Sequence, residues 1–552
     1  MRRTVLLALA FALAALRPSA QVPPADTILV NGHVVTVDAR FSIAQAVAIA
    51  NGRFTAVGTN ADIRRLAGPQ TTVLDLRGQT VTPGLADDHL HDAGGGPGVD
   101  LSRARSLADV LAAIAPRVRT SQPGDVIVSN SDWHEAQLKE HRLPYRKDLD
   151  TVSPNNPVVL VRGGHEYILN SAALAHWNIS KATQAIAGGR ISRDADGELN
   201  GELIDRAKSL VRLPAGPRLT IDALLEQHKK LNAAGLTSIR YPGASVEQYR
   251  LLQEMERRGI LTMRVSQLLR LGADSAPAMR DAIAASGVKP DEGGEWVRIG
   301  GMKLAVDGGF EGGWMRQPYA EPWGEGGSFR GVNTMPQDRY TDVVKELNRL
   351  GWRVATHAVG DAAIDEVLAA YEAANAEKSI AGRRWSLEHG FIPQADQFPR
   401  MKALDLVVSA QDHLYLAGPS LVAYWGPARA ARTTPVRDYL DRGFVVAGGT
   451  DSAVVPYPPL WVIYHFVTRD TISGGVLGAD QKITRKEALQ LETINNAYLT
   501  FEEKIKGSIE PGKLADLIVL PEDILTCPEK HIEQMQVSLT MVGGKIVYRR
   551  PS

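Results

Sequence analysis

Apolar and polar positions divide the chain into two β-rich ends and an alternating middle. From residue 26 onward, short apolar runs alternate with Asn-Gly turns at Asn31-Gly32 and Asn51-Gly52, which is typical of β-hairpins. Near the other end, "GSIEPGKLADLIVL" (507–520) and "VSLTMVGGKIVYRR" (537–550) repeat the strand–turn–strand pattern. We therefore predict one small composite β-sandwich, with an N-terminal half at residues 26–82 and a C-terminal half at residues 501–552.

The middle of the chain, residues 83–500, predicts a parallel α/β barrel. Apolar runs such as "WVRIGGMKLAVDGG", "GWRVATHAVGD" and "GFVVAGGTDS" each end in polar residues, and helical stretches such as "RYTDVVKELNRLG" separate them. His357 and His389 are about one βα unit of a (β/α)8 barrel apart, since ~250 residues divide among eight units. The alternative is a doubly wound sheet, but no G-x-G-x-x-G follows an early strand.

The N-terminal stretch "MRRTVLLALAFALAALRPSAQ" predicts a secretory signal peptide over residues 1–20. Arg2 and Arg3 supply the positive charge, an apolar run follows, and small residues precede Gln21. The alternative is a membrane anchor, but the run is shorter than the ~20 residues of a spanning helix. Cys527 is the only cysteine, so a lipoprotein is excluded. We expect an exported protein, periplasmic or secreted, without a membrane attachment after cleavage.

Charge balance narrows the class of partner. The 552 residues include 62 Lys and Arg and 62 Asp and Glu, which gives a formal net charge of zero. Nothing in this balance indicates nucleic acid or an anionic membrane as a partner. A small-molecule substrate is therefore expected, and the sequence leaves a homo-oligomer open.

Candidate metal ligands stand where the predicted strands end. His89 and His91 in "DDHLH" are two residues apart, so on a strand both side chains point to one face. Alone, this pair is either a ligand pair or two polar residues at a strand end. His357, His389 and Asp451 also end strands, and strand ends meet at the top of a barrel. Imidazole and carboxylate together suit Zn²⁺ or another borderline divalent ion.

Lys303, in "GGMKLAVDGG", lies on the strand before that of His357. A bare lysine is a poor ligand because it is protonated near neutral pH. One interpretation pairs Lys303 with an acid such as Asp307. The other requires carboxylation of the amine by CO₂, which would make it an anionic ligand able to bridge two metal ions.

Several of these stretches resemble a known family. "VTPGLADDHLH" resembles the P-G-x-x-D-x-H-x-H pattern of the amidohydrolase superfamily, and "GSIEPGKLADLIVL" resembles its C-terminal signature. "VSPNNPVVLVRGGHEYILNSAAL", "THAVGDAAIDEVL" and "GGTDSAVVPYPPL" are similar to the YtcJ-like branch, amidohydrolase family 3, which includes N-substituted formamide deformylase. The resemblance implies a distorted TIM barrel with a composite β-sandwich.

The resemblance also implies the ligand set and the reaction. It makes His89, His91 and Asp451 ligands of the more buried metal, and His357 and His389 ligands of a second. Carboxylated Lys303 would bridge the two ions if the centre is binuclear, and Zn²⁺ is the expected ion for the one or two positions. The implied function is hydrolysis of a non-peptide C–N bond by metal-activated hydroxide. The bond would lie in an amide, an N-substituted formamide, a carbamate or an N-acyl amino acid.

Other functions of the same superfamily stay open at this point. A deaminase, a cyclic-amide hydrolase or an ester hydrolase would use the same site, and a non-catalytic exported binding protein would retain only the barrel. A full set of costly charged groups at the barrel mouth argues against the binding protein.

Individual residues are assigned roles on the predicted site. Asp451 is the expected general base and then acid. His165 is the expected donor to the tetrahedral oxyanion, with a histidine packed against the barrel rim as the alternative. His413 follows a strand and would contact substrate or support the site. Arg316 would grip a carboxylate, which would favour N-acyl amino acids, or would be a plain surface arginine. The predicted substrate-binding residues are Trp133, Trp314, Arg316 and His413.

Overall fold

A computed structural model of the protein describes residues 24–184 and 186–551. The predicted signal peptide at residues 1–20 lies outside these ranges. Among the described residues, no helix combines the length and the apolar character that crossing a membrane requires.

Eight parallel strands form the predicted distorted TIM barrel. Each strand pairs with the next along the chain, and the first and eighth meet where Asp88 N donates to Gly448 O at 3.1 Å. A side chain on Gly449 would collide with Asp87 and Asp88, so this seam requires a glycine. The doubly wound alternative is wrong. The barrel strands are Leu85–Asp87, Leu236–Ala244, Arg264–Leu269, Val297–Ala305, Val354–Ala358, Ser386–His389, Val407–Gln411 and Val446–Gly449.

Apolar side chains of the barrel strands and of the surrounding helices share one hydrophobic core. The helix Gln337–Arg349 shows the matching pattern, since Tyr340, Val343, Val344 and Leu347 are buried at helical spacing. The other helices around the barrel are Ile221–Ala233, Val246–Arg257, Ala276–Ser286, Asp361–Glu377, Gln397–Ala403, His413–Trp425, Pro427–Ala431, Val436–Asp441, Pro459–Thr468, Arg485–Leu491 and Ile494–Leu499, with a 3₁₀ turn at Ala479–Gln481.

Both ends of the chain build the β-sandwich, as the hairpin pattern predicts. Val81 pairs with Val519 across the antiparallel strands that join the two ends. The first sheet has the order Arg53–Gly58, Ala46–Ala50, Ala25–Val30, Ala67–Asp75. The second has the order Lys545–Arg549, Leu539–Val542, Leu517–Leu520, Thr80–Pro83, His33–Val35, Ile43–Ala44. Two short helices, Asn60–Arg64 and Glu529–Gln534, accompany the sandwich strands.

A five-stranded mixed sheet is inserted between the first and second barrel strands, and the hydrophobic pattern did not predict it. Its order is Gly189–Arg193, Leu199–Asp205, Glu166–Leu169, Val158–Arg162, Ile127–Val128. Helices at Leu107–Thr120, Arg146–Asp150 and Ser171–His176 and 3₁₀ turns at Glu135–Gln137 and Arg206–Leu210 complete it. We call this segment, residues 99–211, the inserted unit. It brings His165 to the barrel mouth.

Candidate metal centre

The six residues predicted as metal ligands line one cavity at the barrel mouth. The cavity has a volume of about 620 Å³ and opens where the carboxyl ends of the strands meet. These six residues, among those that line the cavity, are His89, His91, Lys303, His357, His389 and Asp451.

His89 is held with one ring nitrogen facing the centre. Its Nδ1 lies 2.6 Å from Glu388 Oε2, so Nδ1–H donates to the carboxylate and the lone pair stays on Nε2. That Nε2 lies 3.2 Å from Lys303 Nζ and 3.7 Å from Asp451 Oδ1. Burial lowers the pKa of His89 to about 3. A neutral imidazole of fixed tautomer is the form that binds a metal ion.

His389 is prepared in the same way by a different partner. Its Nδ1 lies 2.6 Å from Gln411 Oε1, an acceptor, so the Nε2 lone pair is the free one. Burial lowers the pKa of His389 well below its usual range, and the nearby His357 adds to this. The ring centroids of His89 and His389 are 4.8 Å apart.

Asp451 closes this group from the loop after the eighth strand. Its backbone N donates to His89 O at 2.6 Å, and Oδ2 lies 3.0 Å from His413 Nε2. The other oxygen, Oδ1, is buried and makes no hydrogen bond within the described chain. Burial by itself would raise the pKa of Asp451, but His89, His413 and His91 hold it well below its usual range.

These observations fit a divalent cation. Potential ligand atoms of His89, His389 and Asp451 lie within 4.8 Å of one another. A carboxylate oxygen that is buried, ionised and without a donor is costly unless a cation balances it. Two imidazoles and a carboxylate are a donor set that borderline divalent metals accept. The site is therefore compatible with a divalent metal ion.

The other three predicted ligands lie beside this group. His91 Nε2 is 3.2 Å from Asp451 Oδ1, and its side chain is 46% exposed. His357 Nε2 lies 3.1 Å from Gly308 O and donates to it. Lys303 is buried, and burial lowers its pKa to about 8. The structure thus brings all six together, with three in the closest group.

Comparison with known proteins identifies the family. The amidohydrolase family model matches residues 72–548. The chain belongs to the amidohydrolase family.

Relatives of this amidohydrolase align with it along nearly their whole length. It is 32% identical to the N-substituted formamide deformylase of Arthrobacter pascens, over 95% of this chain and 98% of that protein. It is 26% identical to YtcJ of Bacillus subtilis, a protein assigned to the amidohydrolases, over 94% and 99% of the two chains. The fold matches an uncharacterized metal-dependent hydrolase from Pyrococcus horikoshii with a TM-score of 0.67 at 24% identity, covering 92% and 99% of the chains. The enzyme is therefore a metal-dependent hydrolase that acts on carbon–nitrogen bonds of a small-molecule substrate.

Residues beneath the metal centre of the amidohydrolase orient its ligands, and sequence analysis missed them. Arg240 Nη2 donates to both oxygens of Glu388, at 2.8 and 2.9 Å, and Glu388 in turn holds His89. Burial by itself would raise the pKa of Glu388, but Arg240 and His89 hold it well below its usual range. Asp87 accepts from His89 N at 2.9 Å and from Thr450 Oγ1 at 2.6 Å, which ties the first strand to the eighth. The sequence could have indicated two of them, because Asp87 and Glu388 lie within two residues of predicted ligands.

His165 reaches the same cavity from the inserted unit. Its Nδ1 lies 2.7 Å from Asp205 Oδ1, and its ring stacks on that of His357 with centroids 5.2 Å apart. The side chain is 32% exposed and lines the cavity. This position favours a role toward substrate over packing against the rim, and the oxyanion role stays a prediction.

The predicted substrate-binding residues are only partly brought to the site. His413 contacts Asp451, as described above. The Trp133 indole is fully buried in the inserted unit and donates to Val161 O at 2.8 Å. Trp314 is half-buried and packs against the hydrophobic core around the barrel. Neither tryptophan lines the cavity.

Arg316 also stays outside the cavity, which corrects its predicted role. Its guanidinium donates to Asp365 at 2.7 Å twice, and to Asp396 at 2.8 and 3.0 Å. These two carboxylates occupy the face that a substrate carboxylate would need. Arg316 does bind carboxylates in bidentate fashion, but these carboxylates belong to the protein itself.

Proposed function

We propose that this amidohydrolase cleaves a non-peptide amide bond, as in an N-acyl amino acid, an N-substituted formamide or a carbamate. The observation that carries the proposal is the Asp451 carboxylate. Its buried Oδ1 makes no hydrogen bond of good geometry within the described chain, and it lies 3.7 Å from His89 Nε2 and 3.2 Å from His91 Nε2 in an open cavity. Similarity to an N-substituted formamide deformylase supports the bond class.

We assign the metal ligands as follows. His89, His389 and Asp451 would hold one ion, for which Zn²⁺ is proposed. His91, His357 and a carboxylated Lys303 would help to hold a second ion, and Lys303 lies next to the first group, with its Nζ 3.2 Å from His89 Nε2. When bound, a divalent ion polarises a carbonyl and lowers the pKa of water toward ~7.

Asp451 moves the proton in the proposed reaction. Its carboxylate takes a proton from the attacking water as the water oxygen bonds to the carbonyl carbon. The same proton passes to the nitrogen as the C–N bond breaks, so the products are an amine and a carboxylic acid. His413 Nε2 lies 3.0 Å from Oδ2 and holds the carboxylate in place.

His165 is proposed to stabilise the negative charge on the carbonyl oxygen. Its Nδ1–H is engaged by Asp205, so donation toward substrate comes from Nε2. Donation from both nitrogens requires the imidazolium form. Such a donor stabilises a developing oxyanion because it is oriented before the reaction starts.

A product screen tests this function. Purified enzyme is analysed for bound metal and then offered N-acyl amino acids, N-substituted formamides, carbamates and lactams. We expect one divalent metal or two per chain, and equal amounts of amine and acid from at least one linear class. Chelation should abolish turnover and Zn²⁺ should restore it. Ammonia as the only nitrogen product, or no hydrolysis of any linear amide by metal-loaded enzyme, would contradict the proposal.

We also propose that the enzyme is exported, on the N-terminal pattern alone. Expression of the full chain in a Gram-negative host should give a periplasmic form whose N-terminus is Gln21. A variant with both Arg2 and Arg3 changed to Glu is the matched control and should stay in the cytoplasm. Full-length protein in the cytoplasm from both chains would contradict export.

A further inference from the structure

Arg270 brings a positive charge to the cavity without a carboxylate partner in the described chain. It directly follows the third barrel strand, Arg264–Leu269, and lines the cavity beside Lys303. Within residues 24–184 and 186–551, no carboxylate oxygen comes within 4.0 Å of its guanidinium, in contrast to Arg316. Its stem passes Gly243, where an added Cβ would lie 3.8 Å from Arg270 Cδ.

A second cation faces the cavity from the inserted unit. Lys208 lies on the 3₁₀ turn Arg206–Leu210, donates to Gly164 O and stands 5.1 Å from the Tyr167 ring centroid. Burial lowers the pKa of Lys208, and the positive charge of Arg270 lowers it further while Asp205 opposes this. Lys208 and Arg270 therefore bring two positive charges to one cavity.

The four acids that line this cavity contact groups other than Arg270, and Asp451 is held by His413 as described above. Asp205 accepts from His165 at 2.7 Å, and Asp274 lies 3.6 Å from Arg339. Asp307 accepts from three backbone N–H groups at 2.9 to 3.2 Å, those of Trp314, Val359 and Gly360. The guanidinium of Arg270, at the end of the third strand, thus has no ion-pair partner among the described residues.

We propose that Arg270 binds a carboxylate of the substrate, with Lys208 adding a second positive charge to the same cavity. The substrate class is then a carboxylate-bearing amide, of which N-acyl amino acids are the simplest. This inference rests on the proposed function and selects among its substrates. Arg270 offers the planar fork that a carboxylate accepts in bidentate fashion, which was predicted for Arg316.

Matched substrate pairs test the role of Arg270. An N-acyl amino acid is compared with its C-terminal carboxamide, which keeps the scissile bond but lacks the charge. A mono-amide of a dicarboxylic acid is the second arm, because it carries the carboxylate on the acyl side. We expect the wild type to favour at least one acid over its neutral partner. Arg270→Gln should reduce that kcat/KM ratio about 10- to 150-fold, the loss of one charge-assisted contact.

Two variants make this test specific. Arg270→Lys keeps the charge without the fork and should lose only part of the ratio. Arg316→Gln removes a charge that is paired with Asp365 and Asp396 outside the cavity, and should leave the ratio unchanged. An equal loss for acid and neutral substrates in Arg270→Gln would show that Arg270 supports the metal centre instead, and would overturn the proposal.

A binding measurement separates this inference from the proposed function. An N-sulfonyl amino acid has no scissile carbonyl, and its calorimetric binding is compared with that of its carboxamide. Tighter binding of the acid, lost in Arg270→Gln, supports the carboxylate site even if no amide is turned over. Equal binding of acid and carboxamide to the wild type would overturn the carboxylate site while leaving amide hydrolysis standing.

Discussion

Two buried arginines, Arg240 beneath the metal centre and Arg162 in the inserted unit, show two uses of the same ion pair. Arg240 donates to both oxygens of Glu388 and through Nε to Asp88 O at 2.7 Å. Arg162 lies among Glu135, Glu166 and Glu311 at 2.9 to 3.1 Å. Both side chains are nearly inaccessible to solvent.

The difference lies in where the partners come from. The partners of Arg240 are Glu388, on the sixth barrel strand, and Asp88, directly after the first, and Glu388 in turn orients His89. Those of Arg162 include Glu311, from the loop after the fourth barrel strand. The first arrangement therefore orients a metal ligand, whereas the second docks the inserted unit on the barrel.

Charge balance differs as well. Burial by itself would raise the pKa of Glu135, but Arg162 and His134 hold it at about 2. Burial raises the pKa of Glu166 well above its usual range, although Arg162 opposes this. Arg162 thus lowers the pKa of Glu135 below its usual range, whereas at Glu166 burial outweighs the same cation. Three glutamates share the single cation of Arg162, whereas Arg240 donates to one carboxylate, that of Glu388.

The largest expected effect is on catalysis, at Asp451 of the metal centre. Asp451→Asn should reduce kcat about 10³- to 10⁴-fold, because the amide cannot carry the proton. The measurement is single-substrate kinetics with metal content and the thermal midpoint determined on the same preparation. Wild-type kcat in a folded Asp451→Asn enzyme would sink the assigned role.

The next largest effect is expected in the inserted unit. Arg162→Met leaves the buried acids Glu135, Glu166 and Glu311 without their shared arginine and should destabilise the protein by about 3–5 kcal/mol. Urea unfolding measures the change, and limited proteolysis within residues 99–211 locates it. An unchanged urea midpoint would show that the arginine is not what docks the unit.

A smaller effect is expected at the support of His89. Glu388→Gln keeps the shape but weakens the contact to Nδ1, so metal affinity should fall about 10- to 100-fold. Competition with a metal chelator measures it. Gln411→Glu is the matched variant at His389, because it alters the corresponding contact there. Unchanged affinity in Glu388→Gln would remove the distinction between the two arginine clusters.

The smallest effect is expected outside both regions. Arg316 and its partners Asp365 and Asp396 are partly exposed, so Arg316→Gln should cost at most about 1 kcal/mol of unfolding free energy. The thermal midpoint measures this, and the acid-to-carboxamide ratio should not move. If Arg316→Gln abolished the preference for the acid over its carboxamide, the substrate carboxylate would bind Arg316, as predicted from sequence, and not Arg270.

The fold and the ligand positions were within reach of the sequence because they depend on local order. "DDHLH", "THAVGD", "SLEHG" and "AGGTDS" each place a ligand type at a strand end, and parallel strands bring their ends together. The inserted unit was not within reach, because its strands Glu166–Leu169 and Leu199–Asp205, "EYIL" and "LNGELID", are short and mix apolar with polar residues although they are mostly buried. Periodicity describes a strand but does not say which sheet it joins.

The sequence by itself determined which chemical groups stand at the barrel mouth and that both chain ends share one sandwich. The tertiary structure alone decided which of them are engaged. Arg316 meets Asp365 and Asp396 from two other segments, while Arg270 meets no carboxylate of the described chain. The reason is physical: the state of a charged side chain depends on partners that folding brings near, and distance along the chain does not encode them.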